Sequence, residues 1–216
     1  MNEETKNFLE QLKSRPDVLG VIMFGSWARG NNRPDSDVDL VVILTEGYRR
    51  TVEYVDKRAF EIIYTTEKSA MDFWKNYKDD CFSLWSVAKV LYDKDGGVER
   101  LKAEADKIIK DGKNPIDDYQ KGQYKFSAED ELAAVKSKVE IDPATANLII
   151  SKSVLFLSEI FFDLRQMWTP APKQRLSKLK EVSPELGELF ERFYTTPALE
   201  NMISIVDKII PIIFKE

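Results

Sequence analysis

Two short, continuous runs of apolar residues place the strongest constraint on how the N-terminal half of this chain can fold. Val18 to Phe24 and Val38 to Leu44 contain seven residues each. Runs of this length, bounded by turn residues, are typical of strands buried on both faces. Residues 51–54 and 59–65 are predicted to be extended, with a turn near 56–58. Together these segments predict a small mixed β-sheet with flanking helices.

Helical periodicity fills most of the C-terminal half. Asp142 is a suitable N-cap, and Pro143 occupies the first helical position, where proline is favoured. The helix that they open is apolar around almost its whole circumference, which is typical of the centre of a helical bundle. Helices are predicted over residues 118–139, 143–167, 174–180, 184–194 and 198–210.

A polar break with glycine and proline at residues 112–115 separates these two kinds of pattern. The sheet-forming segments all precede the break, and only helical segments follow it. We therefore predict an α+β protein with two domains, residues 1–112 with the mixed sheet and residues 113–216 as an all-α helical bundle.

The composition excludes several kinds of site. The chain has no histidine and a single cysteine, Cys81, which excludes a Ser-His-Asp triad, a zinc cluster and an internal disulfide. With 37 acidic and 32 basic residues, the net charge is −5. A dedicated nucleic-acid binder is disfavoured because it needs a basic face. Any catalysis must therefore use carboxylates, lysine, tyrosine or metal ions.

The expected location is the cytoplasm. The N-terminal residues lack the basic and apolar regions of a secretory signal. No apolar run reaches the roughly 20 residues that span a bilayer, so no membrane association is expected. The sequence leaves the oligomeric state open, and a homodimer formed through the aromatic-rich helical half is one alternative.

A glycine-containing stretch follows the first apolar run. Gly25 lacks a β-carbon, which permits a sharp turn and the close approach of a ligand. Ser26 offers a hydroxyl and an amide at this turn, and Gly30 ends the loop. Backbone amides in such a turn can line a concavity that suits phosphate oxygens.

Two acids, Asp37 and Asp39, open the second apolar run. The period of two in a strand places both carboxylates on one face. Carboxylates this close repel each other unless cations lie between them. Hard oxygen ligands beside phosphates suit Mg²⁺, and two ions about 3.5–4 Å apart could activate a hydroxyl and stabilise departing pyrophosphate.

A third carboxylate is expected from a neighbouring strand. Glu61 is favoured because it is a single acid inside an otherwise apolar segment and needs a cation or a partner. Glu53 and Asp56 compete with it, although both lie near the predicted turn. An acid-x-acid triplet alone should arise by chance roughly six times in such a chain. The evidence is therefore the whole order of strand, Gly-Ser turn, Asp-Val-Asp and later acid.

This order of motifs resembles the DNA polymerase β-like nucleotidyltransferases. The residues around the turn are also similar to the minimal bacterial nucleotidyltransferases. Residues 88–93 and the helical half resemble the aminoglycoside and lincosamide, or kanamycin nucleotidyltransferase-like, group. The motifs that carry the resemblance are Gly25-Ser26, Ala28-Arg29-Gly30, Pro34-Asp35-Ser36-Asp37, Asp37-Val38-Asp39 and Phe60-Glu61-Ile62.

The resemblance implies transfer of a nucleoside monophosphate, in particular AMP, from an NTP to a hydroxyl group, with release of pyrophosphate. It implies that Asp37 and Asp39 hold Mg²⁺, with two ions expected. It makes Glu61 the third catalytic carboxylate and metal ligand, and it places the NTP phosphates near Gly25 and Ser26.

Charged residues elsewhere are weaker candidates. Arg29 is expected to contact phosphate or to brace its loop. Lys173, which follows a rigid proline-containing turn, is a candidate for binding the nucleotide from the helical half. Lys152 either reaches a phosphate or is a partly exposed structural lysine. Glu159 either serves as a base or, as we favour, forms an ion pair within the bundle.

The resemblance makes residues 1–112 the nucleotidyltransferase catalytic domain and residues 113–216 an acceptor-binding domain. Three kinds of acceptor remain open. We favour a small hydroxylated molecule, such as an aminoglycoside-like antibiotic, because the acidic chain suits a cationic acceptor. The alternative is a protein partner, as for antitoxin-like nucleotidyltransferases. A nucleic acid is least favoured because no basic stripe is present.

Overall fold

The computed structural model describes residues 3–76 and 81–215, and the chain forms two compact units. The first unit, Met1–Asp111, contains the sheet, and the second unit, Gly112–Glu216, contains helices. The α+β fold class predicted from the sequence is therefore confirmed.

The first unit is built around a five-stranded sheet. Its strands lie in the order β3-β4-β2-β1-β5, in which β2 and β4 are parallel and the other neighbours are antiparallel. The sheet is therefore mixed, as predicted. Its elements are α1 (Glu3–Ser14), β1 (Val18–Phe24), α2 (Gly25–Arg29), β2 (Val38–Leu44), β3 (Arg49–Val55), β4 (Arg58–Thr65), α3 (Glu67–Asn76), α4 (Ser83–Val87), β5 (Lys89–Asp93) and α5 (Gly97–Asp111).

The two faces of the sheet carry different side chains because strand residues alternate between faces. On one face, Val38, Leu40 and Phe60 are fully buried in a cluster that includes Leu9 and Leu12 of α1. This burial uses the even-numbered residues of β2 and β4. The odd-numbered residues of these strands, which include Asp39 and Glu61, lie on the other face.

Close packing against α5 covers part of this second face. A β-carbon at Gly20 of β1 would lie 2.3 Å from Cγ2 of Val98. Glycine is therefore needed at this position for α5 to approach the strand. Val98 and Leu101 of α5 are fully buried as a result.

Two short helices were not predicted from the sequence. Gly25–Arg29 was expected to be a plain turn and forms α2, and Ser83–Val87 forms α4. Each contains five residues, which is too few for helix propensity to be decisive because the first helical turn is costly to form. Packing fixes both, since Ala28 of α2 and Trp85 of α4 are buried.

The second unit is a helical bundle around α7. Phe161, Phe162 and Ile160 of this helix are fully buried in the core. Its first turn begins at the predicted N-cap, where the Asp142 carboxylate accepts a hydrogen bond of 3.1 Å from the Thr145 amide. The helices are α6 (Asp118–Lys138), α7 (Pro143–Leu164), α8 (Pro172–Val182), α9 (Pro184–Thr195) and α10 (Leu199–Phe214).

The last helix extends further than expected. The sequence predicted its end at Ile210, one residue before Pro211, which cannot donate a backbone hydrogen bond. The structure continues α10 to Phe214. Ile213 is almost fully buried, and its burial offsets the lost hydrogen bond.

No segment able to span a bilayer was expected from the sequence, and α7 departs from that expectation. By length and composition alone, Pro143–Leu164 is long and apolar enough to do so, although half of its most apolar window is buried within the protein. The central helix of a bundle passes the same test. We therefore describe α7 as a core helix.

Candidate active site

Three carboxylates converge where β2 begins. Asp39 of β2 is the register partner of Glu61 on the parallel strand β4, so the two side chains are neighbours on one face. Asp37 lies one residue before β2 and shares this face by the period of two. Ligand oxygens from the three carboxylates all lie within 4.8 Å of one another. The structure therefore brings together the three acids predicted from the sequence.

The turn at Gly25 is shaped around one of these carboxylates. Gly25 has a φ angle of 67°, in the left-handed region that glycine adopts without strain. A β-carbon at this position would lie 1.8 Å from Oδ2 of Asp39. Phe24, the preceding residue, is the register partner of Asp39 on the antiparallel strand β1. The first residue after β1 must therefore lack a side chain for Asp39 to hold its position.

The predicted Gly-Ser turn is the start of the short helix α2. Gly30 ends the helix with a φ angle of 76°, and the Asn31 amide donates a hydrogen bond of 3.1 Å to the Ser26 carbonyl. Ser26 is half-buried and Arg29 is exposed on this helix. The predicted turn is thus a short helix, whose hydrogen bonds satisfy backbone groups that an open loop would leave to water.

An arginine that sequence analysis missed braces the segment before Asp37. Arg58 of β4 donates hydrogen bonds to the carbonyls of Ser36, at 2.9 Å, and Pro34, at 3.1 Å. Its guanidinium also lies 4.9 Å from the ring centroid of Trp27. These contacts tie the segment to β4, where Glu61 lies. The only signal in the sequence was a basic residue at the turn before an apolar strand.

A second missed arginine contacts the acidic group directly. Arg50 of β3 donates a hydrogen bond of 2.8 Å from Nε to Oε1 of Glu61, and its Nη2 contacts the same oxygen. This bond raises the pKa of the Arg50 guanidinium above its ordinary value. Glu61 was expected to need a cation or a partner, and Arg50 supplies one within the protein.

The two competing acids lie outside this group. Glu53 of β3 accepts a hydrogen bond of 3.4 Å from the Tyr64 hydroxyl and lies 3.7 Å from Arg49. Tyr64 belongs to the cluster on the opposite face of the sheet. Asp56 lies in the β3–β4 turn with a φ angle of 47°. Among the alternatives weighed from the sequence, the geometry favours Glu61.

Comparison with known proteins agrees with this geometry. A family model described as a nucleotidyltransferase domain matches residues 5–113, which is half of the chain and includes all three carboxylates. The chain belongs to the nucleotidyltransferase domain family. The predicted resemblance to DNA polymerase β-like nucleotidyltransferases is thus confirmed at the level of the superfamily. The match does not single out the aminoglycoside and lincosamide group.

A solved structure shows the same fold over the whole length of this nucleotidyltransferase. It is the nucleotidyltransferase-like protein from Exiguobacterium sibiricum, with a TM-score of 0.52 and 11% sequence identity. The similarity covers 99% of this chain and 74% of that chain. No curated protein matches the sequence.

The acidic group of the nucleotidyltransferase has the chemistry of a metal site. All of its ligand atoms are carboxylate oxygens, which hard cations prefer. Asp39 and Glu61 are half-buried and Asp37 is exposed, so a cation could reach the group from solvent. Its carboxylates are close enough to repel one another, and the Arg50 guanidinium bonds to Glu61 and also interacts electrostatically with Asp39. These residues therefore fit a divalent cation.

Three of the weaker candidates lie in the second unit, and two of them form ion pairs there. Lys152 lies 2.8 Å from Glu131, with 73% of its side chain exposed, which agrees with the structural alternative. Glu159 lies 3.0 Å from Arg175, which agrees with the favoured ion pair. Lys173 is exposed at the start of α8, and its role in nucleotide binding stays a prediction.

Proposed function

We propose that this nucleotidyltransferase uses Mg²⁺ to transfer a nucleoside monophosphate, most simply AMP, from an NTP to a hydroxyl group of a small molecule. The observation that carries the proposal is the group formed by Asp37, Asp39 and Glu61, whose ligand oxygens lie within 4.8 Å of one another. An arrangement of this kind is difficult to explain by stability, because like charges held together oppose folding.

The proposed reaction forms one bond to phosphorus and breaks another. The acceptor oxygen forms a bond to the α-phosphorus of the NTP, and the bond from this phosphorus to the bridging oxygen breaks. Pyrophosphate leaves with the electron pair, and the hydroxyl proton passes to solvent. There is little covalent chemistry for the protein to perform, so its contribution is positioning and charge stabilisation.

Each part of the proposed site has one task. Asp37, Asp39 and Glu61 would hold the metal, with two ions as the proposed number. Mg²⁺, when bound, supplies Lewis-acid stabilisation of the phosphate oxygens and makes a bound hydroxyl more acidic. Gly25 and Ser26 are assigned to the NTP phosphates by the family resemblance. Arg29 and Lys173 are proposed as further contacts to the nucleotide.

The acceptor we propose is a small molecule of the cytoplasm, and aminoglycoside-like antibiotics are the first class to test. The support for this class is the net charge of −5, since an acidic protein attracts a cationic acceptor. A protein acceptor is the alternative.

The experiment is an incubation with each NTP labelled at the α-phosphate, Mg²⁺ and a panel of hydroxylated acceptors. We expect pyrophosphate release that depends on both the acceptor and Mg²⁺, with label in a small-molecule product. Asp39→Asn should abolish this release, and Asp35→Asn, which changes an exposed acid in the loop before it, should not. Label found only in proteins after incubation with lysate would replace the small molecule by the protein acceptor.

A further inference from the structure

A cavity of about 230 Å³ opens in the first unit, on the face of the sheet that bears the carboxylates. Val41 of β2 and Ile63 of β4 line it from the sheet. Ala70 and Trp74 of α3 line it from one side, and Trp85 of α4 closes another part of the wall. Most of its lining is therefore apolar.

The cavity lies next to the carboxylate group along the same two strands. Val41 lies two residues beyond Asp39, and Ile63 lies two residues beyond Glu61, so each pair shares one face at a separation of about 7 Å. Arg50 provides the direct connection, because it lines the cavity and also donates to Glu61. A ligand in the cavity would therefore reach the carboxylates past the Arg50 side chain.

The strands that line the cavity differ from the strand that precedes the proposed phosphate contacts. Gly25 follows β1, which pairs with one edge of β2, whereas Glu61 lies on β4 at the other edge. The cavity continues from β2 across β4 to Arg50 on β3. The carboxylates thus lie between the proposed phosphate contacts and the cavity.

In-line displacement assigns the attacking group to one of these sides and the leaving group to the other. The attacking oxygen and the leaving pyrophosphate must lie on opposite sides of the α-phosphorus. With the leaving phosphates near Gly25 and Ser26, the acceptor oxygen has to approach from the side of β4 and β3. That is the side on which the cavity lies.

The size and chemistry of the cavity restrict what it can hold. An apolar cavity of about 150 Å³ is large enough to bind benzene, so 230 Å³ accommodates one substituted ring. Complete small-molecule sites usually measure about 300–1,000 Å³. The cavity is therefore a subsite for part of a ligand. Burying a polycationic sugar among Val41, Ile63, Trp74 and Trp85 would be costly, because charges need water or partners.

We propose that this cavity, the β4 cavity, binds an apolar ring of the acceptor and presents the acceptor hydroxyl to the carboxylates past Arg50. The proposal rests on the proposed nucleotidyl transfer. It narrows the acceptor class to hydroxylated molecules with an apolar ring, and it shifts the expectation away from acceptors that are uniformly cationic.

The first test follows pyrophosphate release with ATP and two acceptor series, aryl-substituted primary alcohols and polycationic amino sugars. Ile63→Phe and Ala70→Leu add volume inside the β4 cavity and should raise the KM for the aryl alcohols by at least about tenfold. The KM for ATP should not change. Val87→Phe, on an exposed residue of α4 outside the cavity, is the matched control and should behave as wild type.

The second test measures occupancy without the reaction. Cys81 lines the cavity and is the only cysteine of the chain, so its alkylation by iodoacetamide can be followed by intact mass. Benzyl alcohol should slow this alkylation in the wild type and not in Ile63→Phe. Circular dichroism of each variant verifies that it is folded.

The outcomes separate the two proposals. Transfer that is unaffected by the cavity variants, without protection of Cys81, overturns the acceptor subsite and leaves the transferase intact. A higher KM for ATP in Ile63→Phe would show that the cavity holds the nucleobase and overturn the acceptor assignment. No transfer to any acceptor would remove the proposed function, and with it the acceptor role of the cavity, even if Cys81 is protected.

Discussion

The Oδ2 atom of Asp39 lies 1.8 Å from the point where Gly25 would carry a β-carbon. The carboxylate therefore occupies the space that any other residue at position 25 would fill. Gly25 has a φ angle of 67° and directly follows β1, and Asp39 lies opposite the end of that strand. The turn proposed to hold phosphate and the proposed metal ligand thus depend on the same missing side chain.

Gly25→Ala should impair transfer more than it impairs stability. The new β-carbon must displace Asp39, and a misplacement of about 1 Å costs about 100-fold in rate. Gly47→Ala is the control, because Gly47 has a φ angle of 90° with no atom near its β-carbon position. Both variants bear the left-handed backbone cost of about 1–2 kcal/mol. Equal activity of the two variants would contradict the role of the Gly25–Asp39 contact.

Asp37→Asn and Asp39→Asn should each weaken the binding of Mn²⁺, used as a probe for the metal site, by more than about 100-fold. Losing a group that only hydrogen-bonds to a metal ligand costs about 10- to 100-fold, so losing a ligand itself should cost more. Isothermal titration calorimetry without nucleotide measures this affinity directly. Glu53→Gln removes one negative charge on the opposite face of the sheet and should change the affinity little. Similar losses for all three variants would mean that net charge, not coordination, holds the ion.

Arg50→Ala should strengthen Mn²⁺ binding. The guanidinium bonds to Oε1 of Glu61 and competes with a cation for this oxygen. A solvent-accessible ion pair is worth about 1 kcal/mol, which corresponds to a factor of about five. Arg49→Ala removes an equal charge from the same strand, beside Glu53, and should change the affinity less. Weaker binding in Arg50→Ala would show that Arg50 supports the metal site.

Glu67→Gln should reduce stability at neutral pH but not in acid. Arg100 donates two hydrogen bonds of 2.9 Å to the Glu67 carboxylate, which lowers the pKa of Glu67. A lowered pKa in the folded state means that the stabilisation is complete above the ordinary glutamate pKa of about 4.3 and is lost as the pH falls through the lower value. Urea unfolding of wild type and variant should therefore differ at pH 7 and converge once the pH falls below the lowered pKa of Glu67. A difference that persists in acid would contradict the linkage.

Leu157→Ala should destabilise the second unit by about 2–5 kcal/mol, because it creates a cavity in a packed core. Leu157 of α7 is 1% exposed, whereas Leu148 on the same helix is 72% exposed. Leu148→Ala should therefore change the free energy of unfolding by no more than about 0.5 kcal/mol. Equal losses measured by urea unfolding would mean that the exposed side of α7 is covered in solution.

Local patterns in the sequence predicted the strands better than the short helices. β1 and β2 have the predicted bounds because an apolar run between turn residues specifies a buried strand without help from distant contacts. The five-residue helices α2 and α4 escaped prediction because their stability comes from packing. α10 continues past its predicted end at Ile210 and through Pro211, because burial of Ile213 outweighs the local cost of proline.

The amino-acid sequence by itself determined which side chains are available for chemistry and which residues share a face. Asp37 and Asp39 were expected to point the same way because a strand alternates, and the absence of histidine restricted the chemistry to carboxylates, lysine, tyrosine or metal ions. Only the tertiary structure decided that Glu61 lies beside Asp39, that Arg50 reaches Glu61, and that Arg50 also lines an apolar cavity on the same face of the sheet. These relationships depend on strand order and register, which are set by contacts between segments far apart in the chain and which local periodicity does not specify.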